Sequence, residues 1–155
     1  MNGDFDGDGN LDVADWRPSD ATWHVTPSKI PTQLITEQWG TAGDVPVAGD
    51  YDGDGKTDFA VWRPLIGKWY IIPSSNPNRT IIEANGQSGD IPVTGDFDGD
   101  SRSDLVVFRP SDQTWRAYSE QQSPHSVCPA FSCDNAAAYA PQSPVGVREE
   151  LLRTL

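Results

Sequence analysis

The sequence predicts an all-β chain: three consecutive four-stranded antiparallel sheets and an irregular C-terminal tail. Two observations carry this. An acidic-then-apolar stretch occurs as GDFDGDGNLDVADWRP at Gly3–Pro18, GDYDGDGKTDFAVWRP at Gly49–Pro64 and GDFDGDSRSDLVVFRP at Gly95–Pro110. Its leading aspartates, Asp4, Asp50 and Asp96, are 46 residues apart with no slip in register, the spacing of a solenoid, a propeller or a tandem array. Between the copies, short β-branched and aromatic runs alternate with Gly, Pro, Asn and Asp, and no stretch has a helical period.

The middle unit, about 44–89, sets the pattern. Val45–Ala48 leads into the acidic loop and Phe59–Arg63 leaves it; Lys68–Ile72 follows a turn at Gly67, and Thr80–Ala84 follows the turn over Pro73–Asn78. Four strands in such a length are the content of one propeller blade, and three such blades make an incomplete propeller. The first unit, about 1–43, begins at its loop and is expected to lack the strand that Val45–Ala48 and Ile91–Thr94 supply to the others. The third, about 90–120, runs through Thr114–Ser119 and loses the pattern near Glu120. The tail, 121–155, is rich in Ser, Pro, Ala and Gln, has little to bury, and ends in a possible short helix at 148–154.

A net charge of −12 argues against nucleic acid or an anionic membrane surface as partner. The acidity is concentrated: of 18 Asp and 5 Glu, 12 Asp sit in the three loops. No apolar run approaches a membrane span, so insertion is not expected. Met1 leads directly into the first loop without a secretory leader, which suggests a truncated reading frame for a chain of extracellular character. Cys128 and Cys133 permit a small disulfide loop, while zinc would want more ligands than are in sight.

Numbered from the first aspartate, loop positions 1, 3, 5 and 9 are Asp4, Asp6, Asp8 and Asp12; then Asp50, Asp52, Asp54 and Asp58; then Asp96, Asp98, Asp100 and Asp104. Four carboxylates within nine residues repel one another unless a cation sits among them. The alternate spacing lets side chains wrap inward while the backbone carbonyl at position 7 (Asn10, Lys56, Arg102) supplies another oxygen. Calcium takes about 6–8 hard oxygen ligands, and magnesium tolerates the crowding less well. The expected complement is three calcium ions, structural and not catalytic, which would bring the net charge from −12 to −6. Glycine at position 6, Gly9 and Gly55, helps the loop bend; Ser101 stands there in the third copy, which is expected to be the strained or weakest site. An EF-hand is excluded, because position 12 holds Asp15, Val61 and Val107 in place of a bidentate Glu.

GDxDGDGxxD followed by an apolar strand resembles the FG-GAP/VCBS-type repeat of integrin α-subunit propellers and many secreted bacterial and fungal proteins. The W-R-P element resembles the bacterial members most closely. The resemblance covers about residues 2–120 and implies propeller blades with calcium in the hairpin loop at the matching positions. Such propellers close with about seven blades, so three leave open ends, and self-association through those ends is expected.

Trp16, Trp62 and Phe108 share one repeat position and Trp23, Trp69 and Trp115 another. Stacked rings of this kind either form the core between blades, the favoured reading, or bind sugar faces. Trp39, whose repeat mate is Asn85, is the candidate for an exposed ligand contact. Arg17, Arg63 and Arg109 are expected to stack on an aromatic ring or pair with a loop Asp. His24 and His125 are not repeat mates and have no visible nucleophile or carboxylate partner, so no enzyme is expected. The function expected is a calcium-binding extracellular or cell-surface module for adhesion or protein interaction. A glycan-binding segment, or a non-catalytic accessory region of a larger secreted enzyme, is the alternative.

Overall fold

The computed structural model describes residues 1–118 together with the two-residue strand Val127–Cys128. Among them there is no helix. The first sheet is β1 (Asn2–Gly3), β2 (Asp12–Arg17), β3 (Thr22–Thr26) and β4 (Ile35–Gln38) in chain order. β5 (Val45–Pro46), β6 (Phe59–Arg63), β7 (Lys68–Ile72) and β8 (Ile81–Ala84) make the second. The third holds β9 (Ile91–Gly95), β10 (Asp104–Arg109), β11 (Thr114–Tyr118) and β12 (Val127–Cys128). Every pairing is antiparallel between chain neighbours, as connections of hairpin length require.

Both end units depart from expectation. The first keeps a short strand ahead of its loop: Asn2 pairs with Val13 and Gly3 with Asp12, and Met1 and Ala14 exchange backbone hydrogen bonds at 2.7 and 2.8 Å. In the third, β12 supplies a fourth strand, pairing Arg116 with Val127. Val127 stands 46 residues after Ile81, the first residue of β8, so the period persists where the motif has faded. The helix expected at 148–154, Cys133 and His125 lie outside the described residues.

The sheets stack face to face, and the period-two alternation of the strands decides what is buried between them. In β7, Trp69 and Ile71 are buried and Tyr70 is half-buried. Between the first two sheets Phe59 stacks on Phe5, with centroids 5.3 Å apart at 29°, and meets Trp23 edge-on at 5.5 Å. Between the second and third, Tyr51, Trp62, Trp69 and Ile71 pack with Leu105 and Val107. Thus Trp23, Trp62 and Trp69 are core residues with no more than 1 % of their surface exposed. On the outer face of the first sheet, Asp15 and Val13 are exposed where their mates Val61 and Phe59 are covered by a neighbouring sheet.

The tryptophans pair across strands (Trp16 with Trp23, Trp62 with Trp69), and Phe108 pairs with Trp115. Trp69→Ala is expected to cost about 3–5 kcal/mol by opening a cavity between two sheets. Trp115→Ala, at a half-buried site, should cost clearly less. Urea unfolding followed by far-UV circular dichroism measures both.

Candidate functional site

Each acidic loop joins the first two strands of its sheet and is organised by its own carboxylates. Asp4 Oδ1 accepts from the N–H of Gly7 at 2.7 Å and of Asp8 at 3.0 Å, and its Oδ2 accepts from Gly9 at 2.8 Å. Asp50 accepts from Gly53 and Gly55 at 2.7 and 2.8 Å, and Asp96 from Gly99 and Ser101 at 2.6 and 3.0 Å. Positions 3 and 5 each accept from the N–H two residues on, so the loop coils round a carboxylate-lined interior.

The position-9 aspartate does a different job. Asp12 and Asp58 are fully buried. Asp58 accepts from the N–H of Tyr51 at 2.8 Å with one oxygen and of Ser74 at 2.7 Å with the other. Asp12 does the same with Phe5 and Ser28, and Asp104 accepts from Phe97 at 2.6 Å. This residue staples the loop to the start of its own turn and, in the first two sheets, to the connection between the third and fourth strands.

Oxygens of Asp4, Asp6 and Asp8 lie within 4.8 Å of one another, as do those of Asp50, Asp52 and Asp58, and of Asp96, Asp98 and Asp104. The structure therefore gathers three carboxylates in every loop, though not the same three. Asp12, Asp54 and Asp100 stand outside these groups. At position 7 the side chains of Lys56 and Arg102 lie over Gly7 and Gly53 of the preceding loop, and Asn10 bonds Asp8 at 2.8 Å.

Burial pushes the Asp58 carboxyl up to about 6, with the Asp52 charge adding to the rise. Burial likewise raises Asp104, helped by Asp98 and Asp100. Asp8 is held below the usual range by the Asn10 side-chain hydrogen bond and by Lys29, whose ammonium is 3.3 Å from Oδ2. The second loop is further covered by Ser74, whose Oγ donates to Asp54 at 2.7 Å, and by Ser75, whose Oγ donates to Asp52 at 2.6 Å. Ser74 and Ser75 were not anticipated. The repeat register points to them, since Pro73-Ser74-Ser75 stands 46 residues after Pro27-Ser28-Lys29.

Consecutive loops touch. Thr57 N–H donates to Asp4 O at 2.7 Å and Ser103 N–H to Asp50 O at 2.6 Å. A Cβ on Gly3 would lie 2.5 Å from Thr57 Oγ1, and one on Gly49 the same distance from Ser103 Oγ, so only glycine admits this approach. At position 6, Gly9 and Gly55 have φ of 83° and 87°, while Ser101 is held at 69°, a region that penalises a side chain.

The opposite end of the sheets is held by ion pairs. Arg63 grips Asp44 through Nε at 2.8 Å and Nη2 at 2.9 Å, and lies 4.4 Å over the Tyr70 ring. Arg109 grips Asp90 through the same two nitrogens at 2.8 Å. That fork holds the Asp90 carboxyl below its ordinary range. Trp39 is half-buried: its indole N–H donates to Tyr70 O at 3.0 Å. Asn85, its mate, donates to Arg116 O at 3.3 Å, so both residues bridge to the next sheet. Trp39 also lines a cavity of about 580 Å³ with Gln38, Thr41, Arg63 and Tyr70.

Compared with known proteins, the chain matches no family model, no curated protein and no solved structure.

Replacing Ser101 by Gly should stabilise the third loop by about 0.5–1 kcal/mol through relief of the left-handed backbone. Thermal unfolding of the S101G variant measures this. Asp90→Asn is expected to lose about 1–3 kcal/mol at neutral pH, the worth of a charge-assisted hydrogen-bonded pair. A depressed carboxyl contributes stability that is present above about pH 4 and lost as the pH falls through its folded value. The gap between wild type and D90N should therefore close on acidification, as read from urea midpoints at stepped pH.

Proposed function

We propose that the chain is a calcium-stabilised repeat module of the FG-GAP/VCBS type, its sheets acting as propeller-type blades, and that it serves binding in place of catalysis. The observation that carries this reading is the gathering of three carboxylates in each of three loops in repeat register. The donor set is hard and anionic, as calcium prefers, and the gathered groups offer carboxylate oxygens alone. Asp4, Asp6 and Asp8, then Asp50, Asp52 and Asp58, then Asp96, Asp98 and Asp104 would supply the side-chain oxygens. When bound, the ion cancels repulsion within a loop and fixes the turn that joins two strands.

The setting this composition suits is the cell surface or the extracellular medium, where calcium is plentiful, with a protein or glycan as partner. The glycan reading draws its support from the cavity beside Trp39 and Tyr70, which Gln38 and Thr41 also line. A glycan array in calcium separates it from protein adhesion.

Calcium that binds only the folded chain stabilises it by about 2.7 kcal/mol per site at a hundredfold excess over Kd. Melting temperature should rise by about 2–4 °C for each kcal/mol gained and return to its starting value with a chelator. A melting temperature unmoved by calcium or chelation at low salt refutes the reading.

A further inference from the structure

Consecutive units meet through the seventh loop position as well as through their sheets. Lys56 and Arg102 stand there in the second and third loops, and each sends its side chain over the loop of the unit before. A Cβ on Gly7 would run into Lys56 Cε and lie 3.0 Å from Nζ; one on Gly53 would lie 2.9 Å from Arg102 Nε. Glycine at position 4 thus opens a seat for the next unit's cation, besides taking the left-handed φ of 80° and 77° found there. The adjoining backbone bonds fix that seat: Thr57 N–H donates to Asp4 O at 2.7 Å and Ser103 N–H to Asp50 O at 2.6 Å.

These two cations have no partner of their own. Among the described residues neither makes an ion pair or a side-chain hydrogen bond. Lys29 differs, since its ammonium is committed to Asp8 at 3.3 Å. Lys56 and Arg102 are instead held by packing and act on the carboxylates through space. Asp6 and Asp8 flank Gly7, and Asp52 and Asp54 flank Gly53. A charge seated there is felt without contact, because screening at physiological salt sets in over about 8 Å.

On the calcium reading, on which this depends, we propose that Lys56 and Arg102 are tethered counter-cations that set the calcium affinity of the loop before their own. Without the ion, each side chain relieves repulsion among the carboxylates it covers. With the ion, the same positive charge opposes the dication, so affinity falls. Calcium affinity is tuned by the count of charges at a site. The device holds the first two loops below the affinity their aspartates alone would give, and places the control in the next unit.

The test is a calcium chloride titration of the isotope-labelled full chain by NMR. The Gly7 amide reports the first loop, Gly53 the second and Gly99 the third. Lys56→Gln removes the charge and keeps most of the stem; circular dichroism checks the fold of each variant. K56Q should tighten calcium at the first loop about threefold to tenfold, the effect of one screened like charge, and leave the third unchanged. R102Q should tighten the second loop by less, since Arg102 is exposed where Lys56 is half-buried. K56R should bind as wild type does. Both gains should shrink at high salt, and calcium-free K56Q should melt below wild type at low salt. A role in packing alone would give neither salt dependence.

The proposal is overturned if K56Q leaves first-loop affinity unchanged or weakens it, if the first and third loops shift together, or if the gain is indifferent to salt. Those outcomes leave the calcium reading standing. Calcium that shifts no loop in the wild type refutes that reading, and the proposal with it.

Discussion

Charge repulsion among the loop carboxylates is the constraint on which the rest of this structure turns. Twelve aspartates occupy three loops, and consecutive loops are drawn together by the Thr57–Asp4 and Ser103–Asp50 backbone hydrogen bonds. Such crowding opposes the stacking that buries Trp23, Trp69 and Val107 between sheets. The fold answers it in part with its own groups. Backbone N–H dipoles point at the carboxylates, Lys29 sits beside Asp8, and Lys56 and Arg102 lie across the loop before their own. Burial, with the Asp52 charge adding to it, still pushes the Asp58 carboxyl up to about 6, so this internal compensation is not complete there. A dication in each loop would complete it.

The two ends of the sheets are thus built on opposite principles. At the loop end, like charges are concentrated and held by backbone donors. At the other, opposite charges meet one to one, Arg63 with Asp44 and Arg109 with Asp90, each carboxylate almost wholly out of water. A forked, largely buried pair contributes direction as well as energy, fixing where the next unit's first strand begins. The Trp39 and Asn85 side chains add a crosslink from one sheet to the next. Position along the stack is therefore specified at both ends, which keeps the loops in the register that their carboxylates need.

Much of the architecture was legible in the sequence because the repeat is strict where the strands are. The bounds of β6 and β7 follow from the apolar runs FAVWR and KWYII, flanked by turn residues. Less legible was the division of labour among aspartates. Spacing treats positions 1, 3, 5 and 9 alike, whereas burial makes Asp12 and Asp58 staples bonded to the backbone of a distant connection. Nor could Trp39 and Asn85 be paired by residue type. They do one job because each presents an N–H donor at the same height, a property of register and not of hydrophobicity. β12 was missed because the motif has faded, yet its position continues the period.

The central claim is that each gathered set of carboxylates takes one hard dication. Equilibrium dialysis of the purified chain against radioactive calcium tests it most directly, because it counts ions without relying on a change in stability. Saturation near three ions per chain, reduced by one when Asp50 and Asp52 are both changed to Asn, is the predicted result. Binding no greater than that of a control protein of equal net charge would contradict the account.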